Sequence, residues 1–205
     1  MFQFNLKVFA QVPTNGLVGY FPFNGNANDL SGGANNGVVN GAVLVEDRFG
    51  NPNSAYYFDG VNDYIKISGA EELRNPTYTY SFWVKVASYP SNESAGAMLE
   101  FGSVPAQPKY GINVSLNNNY LTSQGRVYTS GSTNFTWIST KNTALPSLAR
   151  WYHILVSRND KMNVWVDGEL VSTSSVDGLT QYYTTPLDGY IDSVFRTSES
   201  GRGDC

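Results

Sequence analysis

Cysteine is almost missing from this chain. Cys205 is the only one in 205 residues, so no intramolecular disulfide can brace the fold. Histidine is equally scarce, with His153 alone. One thiol and one imidazole cannot build a zinc cluster or a paired Cys-His nucleophile. Charge is thin as well: 15% of residues are charged, against about 25% in an ordinary globular chain. The net charge of -4 excludes the basic footprint of a general nucleic-acid binder. No apolar run approaches the ~18 residues of a membrane-spanning helix. Lys, Glu, Leu and Ala are too sparse for a helical bundle.

What is present is turn chemistry and aromatic surface. There are 21 Asn and 20 Gly, which punctuate chains with tight turns. There are 14 Tyr, 11 Phe and 4 Trp, residues that favour pleated sheets. The length suits one domain with a sizeable core.

Strand-like runs recur at short, even spacing. Gly16 to Phe23 reads as a first strand, with Pro22 marking an edge or bulge. Asn24 to Asn36 is a polar loop. Gly37 to Val45 holds short strands around Asn40-Gly41, and Asn53 to Phe58 is joined to Tyr64–Ile67 through Asp59-Gly60; both dipeptides predict hairpins. Thr77 to Val86 alternates most clearly: Tyr78, Tyr80, Phe82, Val84 and Val86 share one face, and Thr77, Thr79, Ser81, Trp83 and Lys85 the other. Ala97 to Phe101, Lys109 to Leu116, Tyr120 to Tyr128 and Asn134 to Ser139 continue the meander. Trp151 to Ser157 meets Met162 to Val166, Asp167-Gly168 turns into Glu169 to Thr173, and Gly189 to Arg196 closes the series. A helical turn is expected only near Ala70 to Leu73. The pattern predicts an all-β, two-sheet antiparallel sandwich.

The expected domain spans 14–196. Residues 1–13 read as an arm or a signal-peptide remnant, because Val8-Phe9-Ala10-Gln11 resembles a cleavage region although Asn5 and Lys7 interrupt the apolar run. Residues 197–205 read as a flexible tail. Its Arg202-Gly203-Asp204 has the spacing of an adhesion tripeptide, and so short a motif also arises by chance. Three glycosylation-type triplets, beginning at Asn92, Asn113 and Asn134, are equally expected by accident in so Asn-rich a chain.

Five motifs in order carry a family resemblance. They are Gly16 through Gly32, Asp47 through Gly60 with Asp63-Tyr-Ile65, Tyr80-Ser-Phe-Trp83-Val-Lys85, Trp151-Tyr-His-Ile154 followed by Val164-Trp-Val-Asp-Gly-Glu169, and Gly189-Tyr-Ile-Asp192-Ser-Val194. Together they resemble bacterial laminin-G-like, concanavalin A-like domains over about Thr14 to Val194. The resemblance implies a jelly roll of the lectin kind, binding glycans or proteins, often with calcium, in secreted or cell-surface proteins and some virions. It treats Trp83, Trp151 and Trp165 as structural residues of strand motifs. It also places Asp29 near Asp192, on neighbouring first and last strands. Ser174 to Leu187 is short and Tyr/Thr-rich where relatives carry an extra strand.

Calcium needs about 6–8 oxygen ligands from flexible loops. Asp29, Asp47 and Asp192 are the candidate carboxylates. The alternative is local: Asp29 closing an Asx-turn, Asp47 pairing with Arg48 or another base and Asp192 capping a loop. Sugars present apolar ring faces and hydroxyls, so aromatic side chains beside Asn donors make a saccharide site. Tyr110, Trp137, Tyr182 and Tyr183, with Asn118, are the candidates; the alternative is that such rings pack within the sheets. Catalysis lacks its signature, because the paired acids of glucanases on this fold, Glu-x-Asp-x-x-Glu on one strand, do not occur. His153 sits mid-strand, where packing is expected. The expected function is a non-catalytic module that binds carbohydrate or an extracellular partner. A structural subunit of a fibre or virion, with self-association, is the alternative.

Overall fold

The computed structural model describes residues 12–68, 73, 77–89, 94–101, 112–117, 119–128, 135–139, 143–145, 147–175, 189–192 and 195–197. Fifteen strands lie among them: β1 (Gly37–Asn40), β2 (Val43–Val45), β3 (Ala55–Tyr57), β4 (Tyr64–Ile67), β5 (Tyr78–Lys85), β6 (Ser94–Phe101), β7 (Ile112–Asn117), β8 (Tyr120–Tyr128), β9 (Phe135–Ser139), β10 (Thr143–Ala144), β11 (Trp151–Arg158), β12 (Lys161–Val166), β13 (Glu169–Ser175), β14 (Gly189–Asp192) and β15 (Phe195–Thr197).

Nine strands form one antiparallel sheet with the path β1-β4-β14-β6-β7-β8-β10, to which β15 adds on β6 and β9 on β8. Four form a second, in the order β13-β12-β11-β5, and β2 and β3 pair as a separate ribbon. The two large sheets bury their facing sides against each other. Ile67, Leu99, Val114, Leu116 and Leu121 come from the nine-stranded sheet. Tyr78, Tyr152, Ile154, Val156 and Val164 meet them from the four-stranded sheet, with Tyr80, Phe82 and Val84 packed alongside. This is a β-sandwich, as the alternation in Thr77 to Val86 predicts. Along β11 every second residue is buried, from Tyr152 to Arg158, because side chains change face with a period of two.

The hairpins after β11 and β12 form as expected. Asp167 and Gly168 both have positive φ, 51° and 85°, which suits the tight turn joining two right-twisted strands. Three expectations are corrected. Gly16 to Phe23 joins no ladder: Leu30 N–H donates to the Tyr20 carbonyl at 2.8 Å, Pro22 has no N–H to give, and Phe23 turns left-handed with φ 58°. Asn40-Gly41 does not close a hairpin, because β1 pairs with β4 while β2 pairs with β3. Asp59-Gly60 likewise carries the chain from the ribbon to the large sheet rather than joining paired strands. Around Ala70 to Leu73 only Leu73 is described; it is buried in the core and its carbonyl accepts the Tyr80 hydroxyl. Most of the arm and tail lie outside the described residues.

Candidate functional site

Asp29 organises the first polar loop. It is 8% exposed. Its Oδ1 accepts N–H bonds from Tyr20 at 2.9 Å and Ser31 at 2.8 Å. Its Oδ2 accepts the Ser31 hydroxyl at 2.9 Å and the Asn35 N–H at 3.1 Å. Burial pushes the carboxyl up, but the hydrogen bonds from Tyr20, Ser31 and Asn35 outweigh it, so its pKa lies below the ordinary 3.8. Asn35 in turn donates its amide to the Val18 carbonyl at 3.0 Å, tying the loop to Gly16–Phe23. Four donors occupy both oxygens of Asp29, so a metal ion there would have to displace the bonds that hold the loop.

Asp47 plays a lighter version of the same role at the tip of the β2–β3 ribbon. Its Oδ1 accepts N–H bonds from Phe49 at 2.8 Å and Asn51 at 3.0 Å, and its Oδ2 accepts the Asn51 amide at 2.9 Å. The Asn51 amide foremost, with the backbone bonds from Asn51 and Phe49 and the Arg48 charge, holds its pKa below the ordinary value against the opposing effect of burial. The turn they define projects Arg48 and Phe49 away from the ribbon.

That projection completes a second, unexpected arrangement. On β5 and β11 the residues between the buried ones face outward. Trp83 stands opposite His153, Lys85 opposite Trp151 and Ser81 opposite Leu155. On β12, Trp165 stands opposite Leu155 on the same face. The rings of Trp83 and His153 lie 5.0 Å apart at 31°. The His153 Nε2 is 2.8 Å from the Ser81 hydroxyl, which fixes the imidazole on the sheet. Arg48 comes from the ribbon to lie over Trp83, with Cζ 4.2 Å from the ring centre and 3.9 Å from that of Phe49. Lys85 Nζ is 5.3 Å from the centre of Trp151. Trp83 is 43% exposed and Phe49 70%. Arg150 closes on Asp167, whose Oδ1 also accepts the His153 N–H at 2.9 Å. Three tryptophans therefore line the outer face of the four-stranded sheet rather than the core. The phase of the alternation signals this, since Phe82 and Val84 flank Trp83 and both point inward; what brings Arg48 there has no such signal.

The proposed metal ligands are not gathered into one cluster by anything described. β4 separates β1 from β14, with Tyr64 opposite both Asn40 and Asp192, and Gly16 to Phe23, the expected first strand, joins no ladder. Among the described residues no group of three or more metal-ligating side chains occurs. Of the aromatic candidates, Trp137 lies on β9 opposite Arg126, its side chain outside the described set. Asp192 is described only as backbone, and Tyr110, Asn118, Tyr182 and Tyr183 lie outside the described residues. No helix among the described residues is long and apolar enough to cross a membrane.

Residues 59–194 match a family model, that of the concanavalin A-like lectin/glucanases superfamily. No curated protein sequence is significantly similar to the chain. Among solved structures, the binding domain of Paraclostridial Mosquitocidal Protein 1 superposes with a TM-score of 0.59 at 18% identity, over 82% of this chain and 41% of that one. The binding domain of botulinum neurotoxin DC in complex with SialylT gives 0.59 at 13% identity, over 82% and 41%. The same domain in complex with rat synaptotagmin II gives 0.56 at 13% identity, over 83% and 42%. The chain thus spans about two fifths of the length of these neighbours, and likeness at such identities is likeness of fold.

Proposed function

The chain belongs to the concanavalin A-like lectin/glucanases superfamily, and from that premise we propose that it is a non-catalytic binding module for carbohydrate or an extracellular surface partner. The observation that carries the reading is the exposed aromatic face around Trp83, with Arg48, Phe49 and His153 in contact on it. Aromatic faces take the C–H side of a pyranose ring, and flanking N–H and O–H groups orient its hydroxyls. Neighbours of the same fold are binding domains, one seen with SialylT and one with synaptotagmin II. The sequence lacks the Glu-x-Asp-x-x-Glu pattern by which glucanases of this fold pair their acids on one strand. Secretion, a cell-surface position or incorporation in a virion accords with such a module.

A glycan array probed with the purified chain tests this. Binding to a restricted set of glycans is expected, and no binding at high protein concentration would remove the carbohydrate version. Calcium is proposed separately as a stabilising ion. Asp47 fits this better than Asp29, because its Oδ2 accepts a single donor and keeps lone pairs for a hard cation; Asp192 is the second candidate. A melting temperature that rises with calcium and returns in EDTA supports it, and an unchanged melt removes it.

A further inference from the structure

We infer that the outer face of the four-stranded sheet, walled by the β2–β3 tip, is a site for a carboxylate-bearing saccharide. This rests on the carbohydrate reading and assigns it a place and a ligand class.

The charge on this face runs against that of the chain. The net charge is -4, yet Arg48 and Lys85 flank Trp83, each held over an aromatic ring. Among the described residues neither has a carboxylate within ion-pairing distance. Arg150 shows the contrast, since Asp167 neutralises it. Asp47, next to Arg48 in sequence, spends its oxygens on Phe49 and Asn51 instead. Arg48 feels the Asp47 charge through space, yet neither it nor Lys85 is closed off by an ion pair among the described residues.

Geometry sets the ligand class. The guanidinium carbon of Arg48 lies over both rings, 3.9 Å from the centre of Phe49 and 4.2 Å from that of Trp83. The N–H donors of a guanidinium lie in one plane and match both oxygens of a carboxylate. Beside them, Phe49 and the uncovered part of Trp83 offer flat apolar surface. A uronic or sialic acid carries both complements in one small unit: a carboxylate on a ring whose C–H face is apolar. An acidic peptide would satisfy the charge alone and leave the rings without a partner. Lys85, two residues along the same face from Trp83, would take a second acidic unit of the same chain.

Calorimetric titration of the full chain with a hyaluronan hexasaccharide, its carboxyl-reduced neutral form, a sulfated hexasaccharide and a hexaglutamate peptide tests this. The hexasaccharide with carboxylates should bind, and the reduced form roughly tenfold or more weakly. Arg48→Gln and Trp83→Ala should each weaken it by about tenfold, and Arg48→Lys should not restore it, because the planar fork is lost. Melting temperatures of the variants near wild type show that binding rather than folding was changed. Equal binding of the reduced form, tighter binding of the sulfated form or the peptide, or indifference to both Arg48→Gln and Trp83→Ala would overturn the assignment. Indifference with glycan binding retained would leave the carbohydrate module standing and remove only this site. Absence of glycan binding by the unaltered chain would remove both.

Discussion

Gly41 and Asp63 are packed backbone against carboxylate: a Cβ added to Gly41 would lie 1.8 Å from Asp63 Oδ1. Asp63 is buried just before β4, and its Oδ2 accepts the Asp59 N–H at 2.9 Å. The contact locks the exit of β1 to the entry of its partner β4. Gly41 also has φ +77°, where side chains are strained. Gly41→Ala should therefore destabilise the fold by about 2–4 kcal/mol. Gly50→Ala is the control. It shares a positive φ of 81° but meets nothing within 4 Å, and should cost about 1 kcal/mol. Equal shifts in denaturant midpoint for the two would contradict the packing argument.

Asp29→Asn exchanges one acceptor oxygen for a donor facing the Ser31 and Asn35 donors or those of Tyr20 and Ser31. A loss of about 2–4 kcal/mol is expected, because hydrogen-bonded donors become unpaired. The pH dependence has a definite sign. The folded pKa of Asp29 is depressed below 3.8, so its stabilisation is complete above the unfolded value and disappears as pH falls through the folded one. Chemical denaturation from pH 6 to 3 should show a shallower acid loss in the variant than in wild type. Parallel curves would assign the acid sensitivity to other carboxylates.

Tyr78 is stacked on Tyr80 at 4.6 Å, and its hydroxyl is buried without a hydrogen-bond partner. Burial pushes its pKa above the usual 10, opposed by the Arg158 charge. Tyr78→Phe removes a desolvated hydroxyl and keeps the stack, so stability should hold or rise by up to about 1 kcal/mol. Because the folded pKa is raised, the stability tied to Tyr78 is present below pH 10 and declines above it. Tyr78→Phe should blunt that alkaline decline. A clear destabilisation at neutral pH would show that the hydroxyl is satisfied after all.

Ile154 and Trp83 lie on opposite faces of the four-stranded sheet. Ile154 is fully buried, and Ile154→Ala should cost about 3–4 kcal/mol through lost burial and the cavity left behind. Trp83 is nearly half exposed, and Trp83→Ala should cost under about 1.5 kcal/mol despite the larger side chain. Thermal melts rank the two, and a reversed order would put Trp83 in the core.

Much of this is legible in the sequence because it is local. The alternation from Tyr78 to Val86 specifies which face of β5 is buried, and the Asp167-Gly168 turn is written in residues that tolerate positive φ. The same alternation places Trp83 outward, although motif resemblance made it a structural residue. Asp29 shows the limit. An acid in a loop reads equally as ligand or turn, and only the four donors around it reveal its present role.

The sequence by itself determined most of the strands, the buried face of β5 and the Asp167-Gly168 turn, because pleat and turn chemistry depend on neighbours along the chain. Tertiary structure alone decided who pairs with whom. Gly41 bends as its sequence predicts, yet the strands it separates enter different sheets, since pairing is settled by burying two whole sheet faces at once. The meeting of Arg48 with Trp83 has the same origin: two residues far apart in the chain become neighbours only when the ribbon settles on the sandwich.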